Sequence, residues 1–589
     1  MTTPSAHIDR FVIDRLPPMA QRAQTRYDLP ELHIADSANL VVELLDKAVS
    51  HKGWAHHAML RSDHITLTYA DALDRVNRIA QVLTEDCRLV PGNRVLLRGG
   101  NSIGMALAWL AVVKAGLIAV ATMPLLRAKE LREIIDKAQP SVALCDYRLL
   151  DELELARQSA HDSSPSNATS TAPYTTPYSA HATEPSLHNP LHNPLHNPLH
   201  TIIAFNQLDN PHGLAAPAAQ KSGVFTACAT CADDPAMMAF TSGTTGKPKA
   251  AVHTHRDILA ACEAWPRHVL QAQSSDIVIG SPPLAFTFGL GGLLIFPMWA
   301  GGSVYFPDAP YTPEGMVDTI NTIGATICYT APTFYRQMAA FAHAKRLPTL
   351  RTSVSAGEGL PDATRILWHA STGLHMLDGI GATELFHIFI SSPGVQAAAQ
   401  RGTLSHLGLP GTPIGKVVPG YSAKVVGDDG RELPRGTVGK LAVIGPTSCK
   451  YLDDPRQSNY VKDGWNYPGD AFLQDEAGYF FYQARADDMI ISAGYNIGGP
   501  EVEDCLLKHP AVAECGVVGQ PDDERGMIVK AFCVLRAGFV GDPAMVRTLQ
   551  DHVKAQLAPY KYPREIEFLS ALPRTETGKL QRFKLRQSA

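Results

Sequence analysis

The stretch from Phe240 to Lys249, FTSGTTGKPK, concentrates groups that bind phosphate. Its glycines let backbone N–H groups approach phosphate oxygens, and its hydroxyls and lysines add further donors. A Walker A loop, G-x-x-x-x-G-K-[ST], requires glycine where this chain has Thr241 and Ser or Thr where it has Pro248. The stretch is therefore a phosphate loop of another kind. Its candidate binding residues are Thr241, Ser242, Gly243, Thr244, Thr245, Gly246, Lys247 and Lys249.

Strands and helices alternate on both sides of this loop, and they must position it. Before it, strands are predicted at HITLT (64–68), RVLLRG, LIAVAT and SVALCD, and Thr68 with Asp71 predicts a capping box that starts a helix. After it, the predicted strands are MMAFTSG, DIVIGSPP, SVYF, TICYTAP, TSVSAGE and HMLDGIGATE. Strands separated by helices imply parallel pairing, and the small polar residues at several strand ends are typical of a ligand crevice.

The pattern changes after Gly411, where short strands and turn signals such as VVGDDGRELPRG appear. A further unit begins near Ala486, with helices around 500–508 and 543–557 and a strand in GVVGQPD…IVKAFCVLR. We expect an α/β fold. Residues 1–485 would form a large body of doubly wound sheets with a small β-barrel-like subdomain, and residues 486–589 a small, mobile α+β domain.

Residues 152–222 differ from the rest, being rich in Ser, Thr, Ala, Pro and His and repeating LHNP from Leu187. We predict a low-complexity, partly disordered insert. The alternative is a histidine tract that binds metal.

Composition excludes several classes of partner. The chain has 589 residues, 45% hydrophobic and 19% charged, with a net charge of −5, which gives no reason to expect nucleic acid or an anionic membrane. Its ten cysteines lack a framework spacing and its start lacks a signal peptide, so a cytoplasmic protein with reduced thiols is expected. The most apolar window is interrupted by Lys114 and Gly116, which predicts a buried helix and strand rather than a membrane span.

Five motifs, in order along the chain, resemble the signatures of the adenylate-forming superfamily of acyl- and aryl-CoA ligases, luciferases and peptide-synthetase adenylation domains. TSGTTGKPK resembles its phosphate loop, DGIGATE (378–384) its adenine and magnesium motif, and GWNYPGD (464–470) its ribose motif. ARADDMIISAGYNIGGPEVE (484–503) resembles its hinge and CoA-tunnel segment, and PRTETGKLQR (573–582) its catalytic lysine motif. The resemblance implies a ligase that uses ATP, Mg²⁺ and coenzyme A, with an acyl-adenylate as intermediate.

The resemblance assigns roles to the matching residues. Lys579 resembles the lysine that stabilises charge between the acid and the α-phosphate. Thr383 matches a phosphate-contacting hydroxyl, and Glu384 the Mg²⁺-coordinating acid. Asp470 matches the acid that binds the ribose hydroxyls, and Arg485 a nucleotide-contacting arginine. The other nucleotide and CoA candidates are Ser355, Ala356, Gly357, Glu358, Asp378, Gly379, Ile380, Gly381, Gly494 and Tyr495.

The second half-reaction implies domain rotation. Asp487 matches the family's hinge residue, about which Lys579 would leave the site and the segment around Gly494 would enter it. The chain ends ten residues after Lys579 without a carrier domain, which favours free CoA, with a separate carrier protein as the alternative.

The acid is expected between PLAFTFGLGG (283–292) and GATELFHIFI (381–390), where Phe286, Phe288 and Phe389 would supply aromatic bulk suited to a flat ring. GATELFHIFIS resembles the benzoate-CoA ligase version of this motif, in which the histidine at position 387 lies near the aryl carboxylate; a buried structural histidine is the alternative. The candidate substrate-binding residues are Phe286, Thr287, Phe288, Gly289 and His387.

Two observations favour 2-aminobenzoate as the acid. The segment SAHIDRFVIDRLPP resembles the N-terminus of 2-aminobenzoate-CoA ligases, and the hydroxyl of Thr287 could bond a ring substituent. The alternatives are a benzoate- or hydroxybenzoate-CoA ligase, a fatty acyl-CoA ligase, a carrier-loading enzyme, and a nucleotide-binding protein that does not ligate. Monomer and homodimer both stay open.

Two positions depart from the family pattern. Ile380 replaces the aromatic residue that often contacts adenine, and Pro468 replaces the threonine of Thr-Gly-Asp. The first change implies aliphatic contact with adenine, and the second removes one hydroxyl from the ribose motif.

Overall fold

The computed structural model describes residues 4–158, 199–206, 213–242, 248–357, 359–393, 412–485, 488–492, 495–522, 525–557, 559–574 and 579–587. Residues up to about 485 build two large sheets and a smaller antiparallel sheet, and the remainder builds a separate α+β unit. This confirms the fold class predicted from the alternation of strands and helices.

The larger sheet has nine strands. Its six central strands are parallel, and antiparallel strands complete both edges. In spatial order they are Lys416–Val417, Ile388–Ser391, Met376–Gly381, Thr352–Ser355, Ile327–Thr330, Ile277–Gly280, Ser303–Tyr305, Ala58–Arg61 and Thr66–Thr68.

The second large sheet has six strands, which are parallel except for the last pair. That antiparallel pair flanks the phosphate loop, whose residues 243–247 lie outside the described residues. In spatial order the strands are Thr201–Phe205, Val142–Asp146, Arg94–Arg98, Ile118–Thr122, Pro235–Ser242 and Pro248–Thr254.

The small antiparallel sheet carries the ribose motif at the start of one strand. Its strands are Ser422–Val426, Gly439–Ile444, Val461–Lys462, Trp465–Asn466, Asp470–Gln474 and Phe480–Arg485. This sheet corresponds to the predicted β-barrel-like subdomain.

In its described residues, the C-terminal unit packs three helices against a three-stranded sheet. The sequence predicted one strand in GVVGQPD…IVKAFCVLR, but the structure has two antiparallel strands there, Val512–Asp522 and Gly526–Leu535. Gly526 has φ +74°, a conformation that suits glycine and allows the reversal. Strand Glu565–Phe568 pairs parallel to the second of them, and a separate hairpin joins Ile490–Ser492 to Tyr495–Ile497.

Helices cover the faces of the sheets. The predicted capping box is confirmed. The side chain of Thr68 accepts a hydrogen bond from the backbone N–H of Asp71, and the carboxylate of Asp71 accepts one from the backbone N–H of Thr68. The α-helices are Lys47–Ser50, Tyr69–Gln81, Ile103–Lys114, Ala128–Ala138, Leu150–Arg157, Ala215–Ala219, His255–Trp265, Thr287–Leu290, Phe296–Ala300, Pro313–Ile323, Pro332–Lys345, Asp362–Thr372, Gln457–Tyr460, Gly499–Leu507, Pro543–Gln556 and Arg582–Gln587. Val42–Asp46, Val82–Asp86, Pro266–Leu270 and Gly291–Ile295 are π-helical. Short 3₁₀ turns are Ile13–Arg15, Met19–Gln21, Pro30–Leu32, Tyr147–Leu149, Thr383–Leu385 and Pro559–Lys561.

One continuous apolar core joins the two large sheets. Helix Ile103–Lys114 lies within it and is buried from Met105 to its end, which confirms the buried helix predicted for the most apolar window. Lys114 is fully buried and donates to Asp46 Oδ1 at 2.7 Å. No helix in the described ranges is long and apolar enough to cross a membrane.

Regular elements extend into the segment 152–222. Helix Leu150–Arg157 enters it, helix Ala215–Ala219 lies near its end, and strand Thr201–Phe205 adds a parallel edge beside Val142–Asp146. The β-branched and aromatic residues of TIIAF favour that strand. Residues 187–198 of the LHNP repeat lie outside the described residues.

Candidate active site

A cleft of about 2500 Å³ lies between the N-terminal body and the C-terminal unit. The parallel strands Ile327–Thr330, Thr352–Ser355 and Met376–Gly381 present their carboxyl ends to it, as strands do at the ligand crevice of an open α/β sheet. The predicted residues that line it are Thr241, Lys249, Phe286, Thr287, Phe288, Ala356, Gly357, Asp378, Gly379, Ile380, Gly381, Thr383, Glu384, His387, Asp470, Arg485 and Lys579.

Glu384 lies in a small polar cluster on the wall of this cleft. The hydroxyl of Tyr451 donates to Glu384 Oε1, and Lys249 Nζ donates to the same hydroxyl at 2.9 Å. Lys249 Nζ is 3.7 Å from Glu384 Oε1, beyond hydrogen-bond distance, so the phenol bridges the two charged groups. Burial and the charge of Glu384 raise the pKa of Tyr451, so its hydroxyl stays a proton donor.

Glu384 suits a magnesium ion. Its side chain is 10% exposed, it lines the cleft, and no described residue bonds its Oε2. A carboxylate oxygen of this kind is a ligand that Mg²⁺ prefers. No cluster of three or more His, Cys, Asp or Glu side chains that could hold a metal occurs among the residues that the structure describes, so a magnesium ion would take its remaining ligands from substrate phosphates and water.

A buried histidine fixes the backbone beside Glu384. His253 Nε2 donates to the carbonyl of Thr383 at 2.7 Å, so its Nε2 carries the proton. Burial lowers the pKa of His253 to about 4, which keeps the ring neutral at physiological pH. The ring also packs edge-on against Phe386, with ring centres 5.5 Å apart.

Asp470 and Arg485 form an ion pair across neighbouring strands of the small sheet. Arg485 Nη1 is 3.2 Å from Asp470 Oδ1 and also donates to the carbonyl of Pro468 at 3.0 Å. Burial raises the pKa of Asp470, and the charges of Arg485 and Lys579 oppose that rise. Asp470 is thus a buried acceptor paired with a partly exposed guanidinium.

Lys579 comes from the C-terminal unit and lines the same cleft. Its Cε lies 3.9 Å from the position that a Cβ on Gly357 would occupy, beside the predicted adenine loop. Two contacts hold the C-terminal unit in this orientation: Ala363 N donates to Asp504 Oδ1 at 3.0 Å, and Arg336 Nη2 donates to the Leu507 carbonyl at 3.4 Å.

His387 is buried and lines the cleft among aromatic rings. Ring centres of Phe296, Trp265 and Phe288 are 4.5, 5.4 and 5.6 Å from its own. Neither ring nitrogen makes a hydrogen bond of ordinary geometry with the described residues. Burial lowers the pKa of His387 to about 3, so the imidazole is neutral and can donate one hydrogen bond to a ligand.

Thr287 and Phe288 lie beside His387 at the start of helix Thr287–Leu290. Thr287 is buried and lines the cleft, and Phe288 packs edge-on against Tyr329, with ring centres 5.7 Å apart. Gly289 does not line the cleft: a Cβ there would meet the carbonyl oxygen of Pro283 at 2.1 Å, so glycine allows the tight turn beneath the pocket.

Three other predicted residues do not line the cleft. Ser355 is fully buried, Tyr495 is half exposed and stacks on Tyr560 with ring centres 4.2 Å apart, and Phe389 is fully buried against Tyr421. The prediction that Phe389 lines the acid pocket is wrong, because successive residues of a strand face opposite sides and its neighbour Ile388 faces the cleft.

The remaining predicted residues cannot be placed. Gly243, Thr244, Thr245, Gly246, Lys247, Glu358, Asp487 and Gly494 lie outside the described residues, and for Ser242 only the backbone is described. Their roles stay predictions.

Sequence reasoning missed Tyr451 and His253. Neither belongs to a motif, and both reach the site because strand Pro248–Thr254 bridges to the segment around Tyr451. Lys450 anchors that segment through a buried ion pair with Asp257 at 2.8 Å, and Gln457 accepts from the Tyr451 backbone N–H at 2.9 Å.

The chain belongs to the family of AMP-binding enzymes. The family model matches residues 45–451, and the model of the AMP-binding enzyme C-terminal domain matches residues 501–579. The prediction of an adenylate-forming enzyme is therefore confirmed.

Named relatives fall among the CoA ligases. Benzoate–CoA ligase from Thauera aromatica is 32% identical over 577 residues, 95% of this chain and 98% of that protein. The 4-hydroxybenzoate–CoA/benzoate–CoA ligase from Rhodopseudomonas palustris is 28% identical over 93% of this chain and 94% of that protein. The crystal structure of the anthranilate CoA ligase AuaEII with anthranoyl-AMP is similar, with a TM-score of 0.81 at 29% identity, covering 95% of this chain and 99% of that one.

Proposed function

We propose that this protein is an ATP-dependent aryl-CoA ligase that works in two half-reactions. The observation that carries the proposal is one cleft that joins Glu384, Asp470 and Lys579 to an aromatic pocket around His387. The first three residues suit a nucleotide and the pocket suits a flat ring. The similarity to benzoate–CoA and anthranilate CoA ligases supports the same assignment.

In the first half-reaction, a carboxylate oxygen of the acid attacks the α-phosphorus of ATP, and pyrophosphate leaves with the electrons of the broken P–O bond. Asp470 would hold the ribose hydroxyls and Arg485 the nucleotide, while Lys579 would stabilise negative charge between acid and phosphate. Glu384 would hold Mg²⁺, which neutralises phosphate charge. The phosphate loop would bind the β- and γ-phosphates.

In the second half-reaction, the thiolate of CoA attacks the carbonyl carbon of the aryl-adenylate, and AMP leaves. Lys579 lines the cleft in this orientation, and we propose that the C-terminal domain rotates about Asp487 to bring the segment around Gly494 into the site for this step. Tyr495 is exposed and does not line the cleft, whereas Lys579 does, which fits the orientation for adenylation.

The aryl acid would bind with its ring between Phe286 and Phe288 and its carboxylate toward the nucleotide. The neutral imidazole of His387 would donate to an oxygen of that carboxylate, which would give a partner to a buried ring that makes no hydrogen bond of ordinary geometry with the described residues. We expect these aromatic side chains to favour the flat ring of a benzoic acid over a long alkyl chain.

Within this class we propose 2-aminobenzoate as the preferred acid, with benzoate and hydroxybenzoate as competitors. The hydroxyl of Thr287 lies in the pocket wall and would bond an amino group on the ring. We further propose that the enzyme acts in the cytoplasm, since all ten cysteines are free thiols.

A thioester-formation assay tests the proposal. The enzyme is incubated with ATP, Mg²⁺, CoA and one acid at a time from a panel of benzoate, 2-aminobenzoate, the hydroxybenzoates and one medium-chain fatty acid. We expect the highest kcat/KM with 2-aminobenzoate and little product from the fatty acid. Turnover of the fatty acid alone would contradict the aryl assignment.

A further inference from the structure

Tyr451 connects the charged side chains of Lys249 and Glu384. Its hydroxyl donates to Glu384 Oε1 and accepts from Lys249 Nζ at 2.9 Å, so it uses both its donor and an acceptor position. The ammonium also lies 4.8 Å from the centre of the Tyr451 ring, a cation–π contact.

The protein around Tyr451 restricts its movement. Its side chain is about 1% exposed, its ring packs edge-on against Tyr460, and its backbone pairs with strand Pro248–Thr254 through Ala251. Gln457 and the buried Lys450–Asp257 ion pair hold the chain on either side. Such a fixed hydroxyl can set the positions of two flexible, charged partners.

We propose that Tyr451 is a positioning residue that keeps Lys249 and Glu384 bridged but separated, so that the carboxylate stays available to the magnesium–nucleotide complex. This inference rests on the proposed function. The side chains of Lys249 and Glu384 are only 20% and 10% exposed and 3.7 Å apart, a distance that one small movement would close. Without the hydroxyl, Lys249 would pair directly with Glu384. Mg²⁺ would then have to displace the ammonium of Lys249 from the carboxylate.

The first test is the variant Tyr451→Phe, which removes the hydroxyl and keeps the ring. Binding of ATP is measured by calorimetry at increasing Mg²⁺ concentrations, without acid or CoA. We expect the Mg²⁺ concentration for half-maximal binding to rise about tenfold, the effect of one hydrogen bond to a charged group. The control is Tyr69→Phe, which removes another buried phenol, donating to the Gly302 carbonyl at 2.9 Å and remote from the cleft.

A second variant separates positioning from general loss of structure. In Tyr451→Phe/Lys249→Gln the competing ammonium is gone, so the Mg²⁺ requirement should return toward the wild-type value even though nucleotide affinity falls. A purely structural role for Tyr451 predicts no such recovery.

Each result bears on the proposal. An Mg²⁺ requirement within twofold of wild type in Tyr451→Phe, an equal rise in Tyr69→Phe, or no recovery in the double variant would overturn the positioning role alone. Failure of the wild-type enzyme to bind ATP with Mg²⁺ would overturn the proposed function and the positioning role together.

Discussion

The ring of His387 packs closely against Gly291: a Cβ added at Gly291 would lie 2.6 Å from Cδ2 of the imidazole. Trp265, Phe288 and Phe296 surround the ring and restrict its movement. Glycine at 291 therefore fixes the place of the imidazole that we propose to bind the aryl carboxylate.

Gly291→Ala should displace His387 and weaken acid binding. Overpacking of this kind costs about 1–3 kcal/mol, so KM for the acid should rise about tenfold while KM for ATP stays near its wild-type value. Steady-state kinetics with each substrate varied in turn measures both. Gly100→Ala, where an added Cβ would meet nothing within 4 Å, is the matched control. A rise in KM for ATP alone would argue against this role of His387.

Thr287→Ala should erode the preference for 2-aminobenzoate over benzoate. Loss of one neutral hydrogen bond to the amino group is worth about 1 kcal/mol, so the ratio of the two kcat/KM values should fall about fivefold. Thr287→Ser keeps the hydroxyl and should keep the ratio. If the Ala variant has the wild-type ratio, Thr287 does not select the ring substituent.

Arg485→Met should make nucleotide binding more sensitive to acid. Burial raises the pKa of Asp470, whereas the charge of Arg485 lowers it. Removing the guanidinium should therefore raise the pKa of Asp470 further. Because binding to the ribose needs the carboxylate, ATP affinity should be lost at higher pH than in the wild type. Calorimetric titrations across pH locate the midpoint of this loss; an unchanged or lower midpoint would contradict the coupling.

Acid should destabilise the folded protein through three buried histidines. Burial lowers the pKa of His253 to about 4 and those of His255 and His387 to about 3, from 6.5. As the pH falls, the histidines of the unfolded chain are therefore protonated before those of the folded protein. Their contribution to the free energy of unfolding is present above pH 6.5 and is lost as the pH falls toward 4. Each histidine contributes a slope of about 1.4 kcal/mol per pH unit.

His255→Asn tests this linkage away from the cleft. The amide oxygen of Asn can replace His255 Nδ1, which accepts from the backbone N–H of Leu40 at 3.1 Å. The thermal midpoint of the variant should fall less steeply with pH than that of the wild type. The solvent-exposed control His56→Asn should keep the wild-type slope, and equal slopes in all three proteins would refute the account.

The predicted site residues that line the cleft belong to continuous motifs at the ends of elements. Asp470 opens a strand, and Glu384 follows one, so their types and short-range spacing carry the information. Strand alternation, once the register of Ile388–Ser391 is known, corrects the placement of Phe389.

Other features depend on contacts distant in the sequence. Tyr451 meets Glu384 across 67 positions and Lys249 across 202, through a β-bridge that no local pattern indicates. The burial of the His387 imidazole likewise depends on rings from two parts of the chain, Trp265 and the continuous helical run 287–300 that carries Phe288 and Phe296. Such long-range packing decides burial and charge, which motif matching does not predict.

The most direct test of the account separates the two half-reactions with Lys579. In rapid-quench experiments with ATP, Mg²⁺ and 2-aminobenzoate but no CoA, the wild type should form aryl-AMP and pyrophosphate in equal amounts. Lys579→Ala should slow this step at least about 100-fold, the scale of losing a main electrostatic stabiliser. The same variant should convert supplied 2-aminobenzoyl-AMP and CoA to thioester at close to the wild-type rate. Thioester formation without an aryl-AMP intermediate, or full adenylation by the variant, would contradict the account.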